Sequence, residues 1–263
     1  MWIPIIITLA VFLYAKKQTE CFLSLKYFQF KNKSRFLLVI DNPWVDDDSL
    51  HLTNYLKKSL LHKFIIDIDD DNKFQSWFGD VIRDKIETID IVIHSYGGSL
   101  VASDTIIKNL LDYTGTINIY VPYHAMSAGT RLMLVGDKIY MNSFSLASPM
   151  DPQVMMMDEC VGQYSVKSLM KLVELKGIKK VKDATGLNYV EFKKLYDDNI
   201  RVLNLILHKK YKKKTINNIV QKLGYGNIPH HIPHSPEELK RIGIPVVTDV
   251  PADIMDLFEL IGQ

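Results

Sequence analysis

IDIVIHSYGGSLVASDTIIKNLLDYTGTINIYVPYHAMSAGT, residues 89–130, sets two short apolar runs on either side of one helical segment. Ile89–Ser95 reads as a buried strand that stops at Tyr96-Gly97-Gly98-Ser99. A helix follows from about Leu100 to Tyr113, then a second strand, Ile117–Pro122. Ser127 comes next, on a tight turn before Ala128-Gly129-Thr130. A glycine pair lets backbone approach a ligand closely, and the start of a helix leaves N–H groups without intrahelical partners. Two neighbouring strand ends therefore deliver a close-approach backbone and a hydroxyl to one place.

The same alternation extends in both directions. Upstream, Phe36–Asn42 and Phe64–Ile68 read as strands. Helical spacing covers Leu50–Lys63 and again Lys73–Glu87, where Phe74, Trp77, Phe78, Val81 and Ile82 recur at intervals of three and four. Downstream, a helix from Ser127 to Leu134 leads to a short strand at Lys138–Asn142. Strand alternating with helix predicts βαβ units and a mostly parallel sheet. Beyond Pro152 the pattern is helical, clearest over Gln163–Leu175 and Tyr189–Tyr211. Ser235-Pro236-Glu237-Glu238 is a capping box with proline in the first helical position. Ile244–Val250 reads as a late strand, with a closing helix after it.

At 263 residues the chain can bury one large core. A net charge of +2 gives no electrostatic case for nucleic acid. Cys21 and Cys160 lie far apart, too few for a disulfide framework or a structural zinc site. Trp2–Ala15 carries no charge over 14 residues and is followed by Lys16-Lys17. That is short of the roughly 20 residues of an ordinary span. It lacks the charge order of a cleaved signal, so the expectation is a short uncleaved membrane anchor. Lysines on its inner flank place the rest of the chain on the cytosolic side.

Several residues carry candidate chemistry. Ser127 reads either as a helix N-cap or as a nucleophile. The amides of Gly98 and Ala128 would then face one point as an oxyanion hole, with Gly97 beside them. For a base, His124 lies three residues before the serine. His230-His231-Ile232-Pro233-His234 forms a second histidine source in a proline-bounded loop. The three histidines there lack a metal-ligand pattern, and no cofactor or metal is expected. Asp67-Ile68-Asp69-Asp70-Asp71-Asn72 opens like a calcium loop, but Phe78 stands where the bidentate glutamate would be. The run is read as a helix cap. The basic cluster His208–Lys214 is read as a solvated helix end.

Taken together, His94-Ser95-Tyr96-Gly97-Gly98, Ala125–Thr130 and Ser148-Pro149-Met150-Asp151-Pro152-Gln153 resemble the serine dehydrogenase proteinase family. Its members are membrane-anchored relatives of signal peptide peptidase A and the Clp protease subunit, and the similarity covers about Arg35 to Val247. The resemblance implies an α/β ClpP/crotonase-like fold of repeated βαβ units, with a helical C-terminal part. It implies Ser127 as nucleophile, Gly98 and Ala128 as oxyanion donors, and His230 as the family's late histidine. The chain departs from the pattern where the family's aspartate is His231, and where the proline before the glycine pair is Tyr96. In the Clp-type arrangement the histidine lies a short distance after the serine, and that region here carries Asp151. Signal peptide peptidase relatives use a lysine instead, for which Lys167, Lys171, Lys176, Lys179 and Lys180 are available, so the base stays open between histidine and lysine.

The expected parts are a transmembrane anchor over residues 1–17, a linker over 18–34 and a peptidase domain over 35–263. The expected function is a single-pass, membrane-anchored serine peptidase acting on peptide or membrane-protein segments as a homo-oligomer, without nucleic acid. Two alternatives remain: an inactive ClpP-fold scaffold or binding protein, and a crotonase-type acyl-thioester enzyme that uses the same backbone donors.

Overall fold

The computed structural model describes residues 16–17, 19–20, 22–29, 34–40, 65–157 and 161–262. The expected anchor segment Trp2–Ala15 and the expected helix Leu50–Lys63 lie outside the described residues. Among the described residues no helix is long and apolar enough to cross a membrane.

Six parallel strands form the main sheet: β1 (Ser34–Ile40), β2 (Ile65–Asp67), β3 (Thr88–His94), β4 (Thr116–Val121), β6 (Lys138–Met141) and β10 (Val246–Thr248). Their spatial order is β10-β6-β4-β3-β1-β2. Two short strands sit above it, β5 (His124–Ala125) pairing in parallel with β7 (Leu146–Ala147). The helices are α1 (Asp71–Arg83), α2 (Leu100–Asp112), α3 (Ala128–Met133), α4 (Val166–Lys176), α5 (Asp183–His208), α6 (Lys213–Ile219), α7 (Pro236–Ile242) and α8 (Ala252–Gly262). The parallel βαβ reading of the sequence therefore holds.

Period-two alternation in β3 shows why the sheet is covered on both faces. Ile89, Ile91 and Ile93 point into the larger core with Phe74, Ile106, Leu132 and Leu203. Each such isoleucine stabilises the fold by about 1.5–3 kcal/mol. Val92 faces the other side, packed with Leu25, Phe28, Tyr120, Ile254 and Phe258. Residues 22–29, read from sequence as part of a basic linker, are helical and supply Leu25 and Phe28 to that layer. Asp90 shares this face, buried, and accepts from Asn118 Nδ2 and Tyr120 Oη at 2.9 Å each.

One expectation fails beyond Pro152. The chain there is not helix only: β8 (Gln153–Met156) and β9 (Gly162–Ser165) form an antiparallel hairpin. Val154-Met155-Met156-Met157 is apolar without period-two alternation, and Met155 and Tyr164 are exposed, so the sequence carries no half-buried strand pattern there. The capping box at Ser235 is present in both directions, with Gly243 closing α7 in the left-handed conformation.

Candidate active site

The site forms at the carboxyl ends of β3 and β4, where open parallel sheets ordinarily bind ligands. Beyond β3 the chain bonds to the β5 turn: Ser95 N–H donates to the His124 carbonyl at 3.0 Å, and Met126 N–H to the Ser95 carbonyl at 2.9 Å. This stitching brings the glycine pair against the serine turn. A Cβ placed on Gly97 would lie 2.8 Å from Ser127 Cβ and 3.3 Å from its Oγ. Gly97 also has φ +120°, open only to glycine. A Cβ on Gly98 would point away from the serine and strike Asp69 Oδ1 and Ile68, and the next amide, Ser99 N–H, donates to Asp69 at 2.6 Å. The end of the acidic run thus braces the glycine loop.

Ser127 occupies the position before α3, yet its hydroxyl makes no capping hydrogen bond to that helix. Its backbone, at φ 49° and ψ −114°, lies outside the regions ordinary residues adopt. A serine strained at a strand-to-helix turn, with its hydroxyl not spent on the helix, matches the geometry of a nucleophile elbow. The plain capping role considered from sequence does not describe it. Ala128 opens α3 and is buried beside it.

Asp151 and His230 meet. His230 Nδ1 lies 2.8 Å from Asp151 Oδ1, the imidazole half-buried and the carboxylate buried. The second carboxylate oxygen accepts from Gln153 Nε2 at 2.9 Å. Gly226, at φ +65°, leaves room there, since a Cβ on it would come within 2.7 Å of Asp151 Oδ2. The segment between serine and histidine joins the two halves. Ala147 pairs with Ala125 on one side and exchanges backbone hydrogen bonds with His234 on the other.

The remaining candidates fall outside this contact. His231 is exposed. His124 stacks between Tyr96 and His94, with ring centroids 4.4 and 4.2 Å away. Burial, then the charge of His124, lowers the His94 pKa to about 4, and burial lowers that of His124. His234 is lowered as well, by burial, with Glu238 opposing. Burial thus disfavours the charged form of all three rings. Among the lysines, Lys167 lies over the Tyr196 ring, Lys171 pairs with Glu174, and Lys176, Lys179 and Lys180 are exposed.

Two charged groups missed in the sequence hold the serine helix. Arg131, fully buried, reaches Asp104 and Ser103 on α2. Lys210, from the basic cluster, donates to the carbonyls of Leu134, Val135 and Gly136 at the other end of α3. Burial brings its pKa down to about 8, against the pull of Asp137. This lysine of the cluster thus satisfies carbonyls just past the end of α3 rather than standing as a solvated charge.

The chain is similar to known proteins. The family model described as ClpP-like SDH-type serine proteinase matches residues 55–263. Two uncharacterized proteins of Methanocaldococcus jannaschii are similar. MJ0137 is 34% identical over 179 residues, covering 68% of this chain and 60% of that protein. MJ1495 is 32% identical over 175 residues, covering 66% and 57%. The chain thus spans about three-fifths of the length of these curated relatives. Among solved structures, a mutant of the 1510-N membrane-bound stomatin-specific protease aligns over 84% of this chain and 83% of its own, at 14% identity and TM-score 0.49. A second mutant, in complex with a substrate peptide, aligns over 86% and 98%, at 13% identity and TM-score 0.46.

Proposed function

Since the chain belongs to the ClpP-like SDH-type serine proteinase family, we propose that it is a serine peptidase working through Ser127, His230 and Asp151. The observation that carries this reading is the 2.8 Å contact between His230 and a buried carboxylate, on the same short stretch, residues 148–151, whose Ser148 hydroxyl accepts from the amide of the strained Ser127 turn. With Nδ1 engaged by Asp151, Nε2 is the nitrogen left to accept a proton. In this reading Nε2 takes the Ser127 hydroxyl proton as Oγ attacks the scissile carbonyl. The amides of Ala128 and Gly98 receive the developing oxyanion, and the imidazolium returns its proton to the leaving amine. Water, activated by the same imidazole, then hydrolyses the acyl-serine. The carboxylate comes from Asp151, outside the histidine motif, so His231 needs no role.

Peptide or membrane-protein segments are the proposed substrates, and the working form is proposed to be a homo-oligomer. Trp2–Ala15 is proposed to anchor the protein in a membrane, with residues 35–263 as a cytosolic peptidase domain. The test uses the full-length chain in detergent and a fluorophosphonate probe. Wild type is expected to label and to cleave a denatured protein substrate, and Ser127→Ala to do neither. Equal labelling and cleavage by the two proteins would refute the assignment.

A further inference from the structure

The strained turn at Ser127 must be held by something, and α3 does not hold it through the serine hydroxyl. Ser127 N–H donates instead to the hydroxyl of Ser148, at 2.8 Å. Ser148 is buried and is itself fixed on three sides. Its N–H donates to Thr130 Oγ1 at 3.2 Å, its hydroxyl is directed to the Pro149 carbonyl at 3.3 Å, and its carbonyl lies 2.9 Å from the Thr130 hydroxyl. Thr130 also reaches the Ala125 carbonyl at 2.5 Å. The two hydroxyls therefore tie both flanks of the serine turn to the strand segment beneath it.

We propose that Ser148 is a positioning residue for the nucleophile, acting through the Ser127 amide and never touching substrate. The proposal rests on the peptidase reading above. It has a geometric logic beyond one hydrogen bond, because the same stretch performs two other alignments. Ala147 exchanges backbone hydrogen bonds with His234, fixing the loop that carries His230. Asp151 orients the imidazole itself. Residues 147–151 thus act as one template: Ser148 fixes the serine side and Ala147 with Asp151 the histidine side. Any slip of this stretch changes the distance between nucleophile and base. The arrangement also assigns the amides. With Ser127 N–H committed to Ser148, the oxyanion donor from this turn is the next amide, Ala128. The first amides of a helix have no intrahelical partner, so Ala128 can donate without loss of a helical bond.

Removing the Ser148 acceptor leaves the half-buried Ser127 N–H unpaired, at a cost in free energy. The turn is then expected to relax out of its strained conformation. The test measures fluorophosphonate inactivation of the full-length protein, resolved into the maximal rate and the half-saturating concentration. Amide hydrogen exchange at Ser127 is followed alongside. Ser148→Ala is expected to lower the maximal rate about 10- to 100-fold, with half-saturation within about twofold. It is also expected to speed exchange at Ser127 by a similar factor. Ser148→Thr, which restores the hydroxyl, is expected to recover most of the rate, whereas a merely structural defect would persist in it. Ser148→Cys keeps the size but offers a poor acceptor, and serves if alanine impairs folding; it is expected to be slow as well. A wild-type maximal rate in folded Ser148→Ala or Ser148→Cys overturns the proposal while leaving the peptidase reading intact. Absence of labelling in wild type overturns both.

Discussion

Replacing Asp151 by asparagine changes one atom and tests the His230 assignment directly. The carboxylate accepts two hydrogen bonds, from His230 Nδ1 at 2.8 Å and from Gln153 Nε2 at 2.9 Å. An amide oxygen can accept only one of them. With its oxygen toward His230, its NH₂ faces the NH₂ of Gln153, and that contact is satisfied only if the Gln153 amide turns over to present Oε1. With its NH₂ toward His230, Nδ1 must become the acceptor. The ring proton then sits on Nε2, the nitrogen required to accept from Ser127. A charge-assisted hydrogen bond is worth about 1.5–3 kcal/mol, or roughly one to two decades of rate. The wrong tautomer adds to this. The corresponding change in the chymotrypsin-type triad costs about ten-thousand-fold in kcat. Asp151→Asn is therefore expected to lower the fluorophosphonate inactivation rate by at least about a hundredfold, with the thermal midpoint near that of wild type. A rate within about threefold of wild type, in a protein that Ser127→Ala silences, would refute the reasoning and leave a lysine as the base.

Gly97→Ala places a Cβ 2.8 Å from that of Ser127, at a φ of +120°; probe labelling is expected to disappear, and retained labelling would show that the glycine loop can yield. Acid should weaken the fold through His94, whose folded pKa of about 4 lies below the unfolded value of about 6.5. The unfolded chain takes up the proton first, so the contribution is complete above pH 6.5 and lost between about 6.5 and 4. His94→Phe is expected to flatten the fall in thermal midpoint across that window, and an unchanged slope would exclude His94 as its source. Asp104→Ala strands the buried Arg131 guanidinium and is expected to cost about 3–5 kcal/mol in denaturant unfolding, while Arg131→Met, which removes the charge, should cost less. The reverse order would mean that Arg131 finds its compensation elsewhere.

The parallel sheet was legible because its strands are buried on both faces. Ile89, Ile91 and Ile93 enter one core and Val92 the other, so β3 reads as an unbroken apolar run. The β8–β9 hairpin was not, because Val154-Met155-Met156-Met157 shows no period-two alternation and Gln163 and Tyr164 are exposed, so neither strand reads as half-buried. Lys210 and Arg131 were invisible for a different reason. A cationic side chain reads as surface until the long-range partner is known, and their partners lie 74–76 and 27 residues away. Ser148 stood inside a motif noted in the sequence, but nothing local separates a hydroxyl that fixes an amide from one that caps a turn.

On the proposed assignment, the contact at Asp151 supplies His230 with a carboxylate that a motif comparison does not find. The sequence presents His230-His231 where related chains are expected to carry histidine followed by aspartate, and that substitution argues for an inactive protein. The carboxylate is nevertheless within hydrogen-bonding distance of His230, supplied from 79 residues earlier by the stretch that also touches the serine turn. A buried carboxylate is costly unless paired, and Asp151 has two donors, a glycine that makes room for it, and 1% side-chain exposure. A chain that had lost its chemistry would gain stability by replacing such a group with an apolar one. The buried carboxylate, the Gly226 conformation that accommodates it and the strained Ser127 turn are three separate departures from the most stable local choice. It is the coincidence of all three, rather than any one motif, that favours the proposed active enzyme over a scaffold.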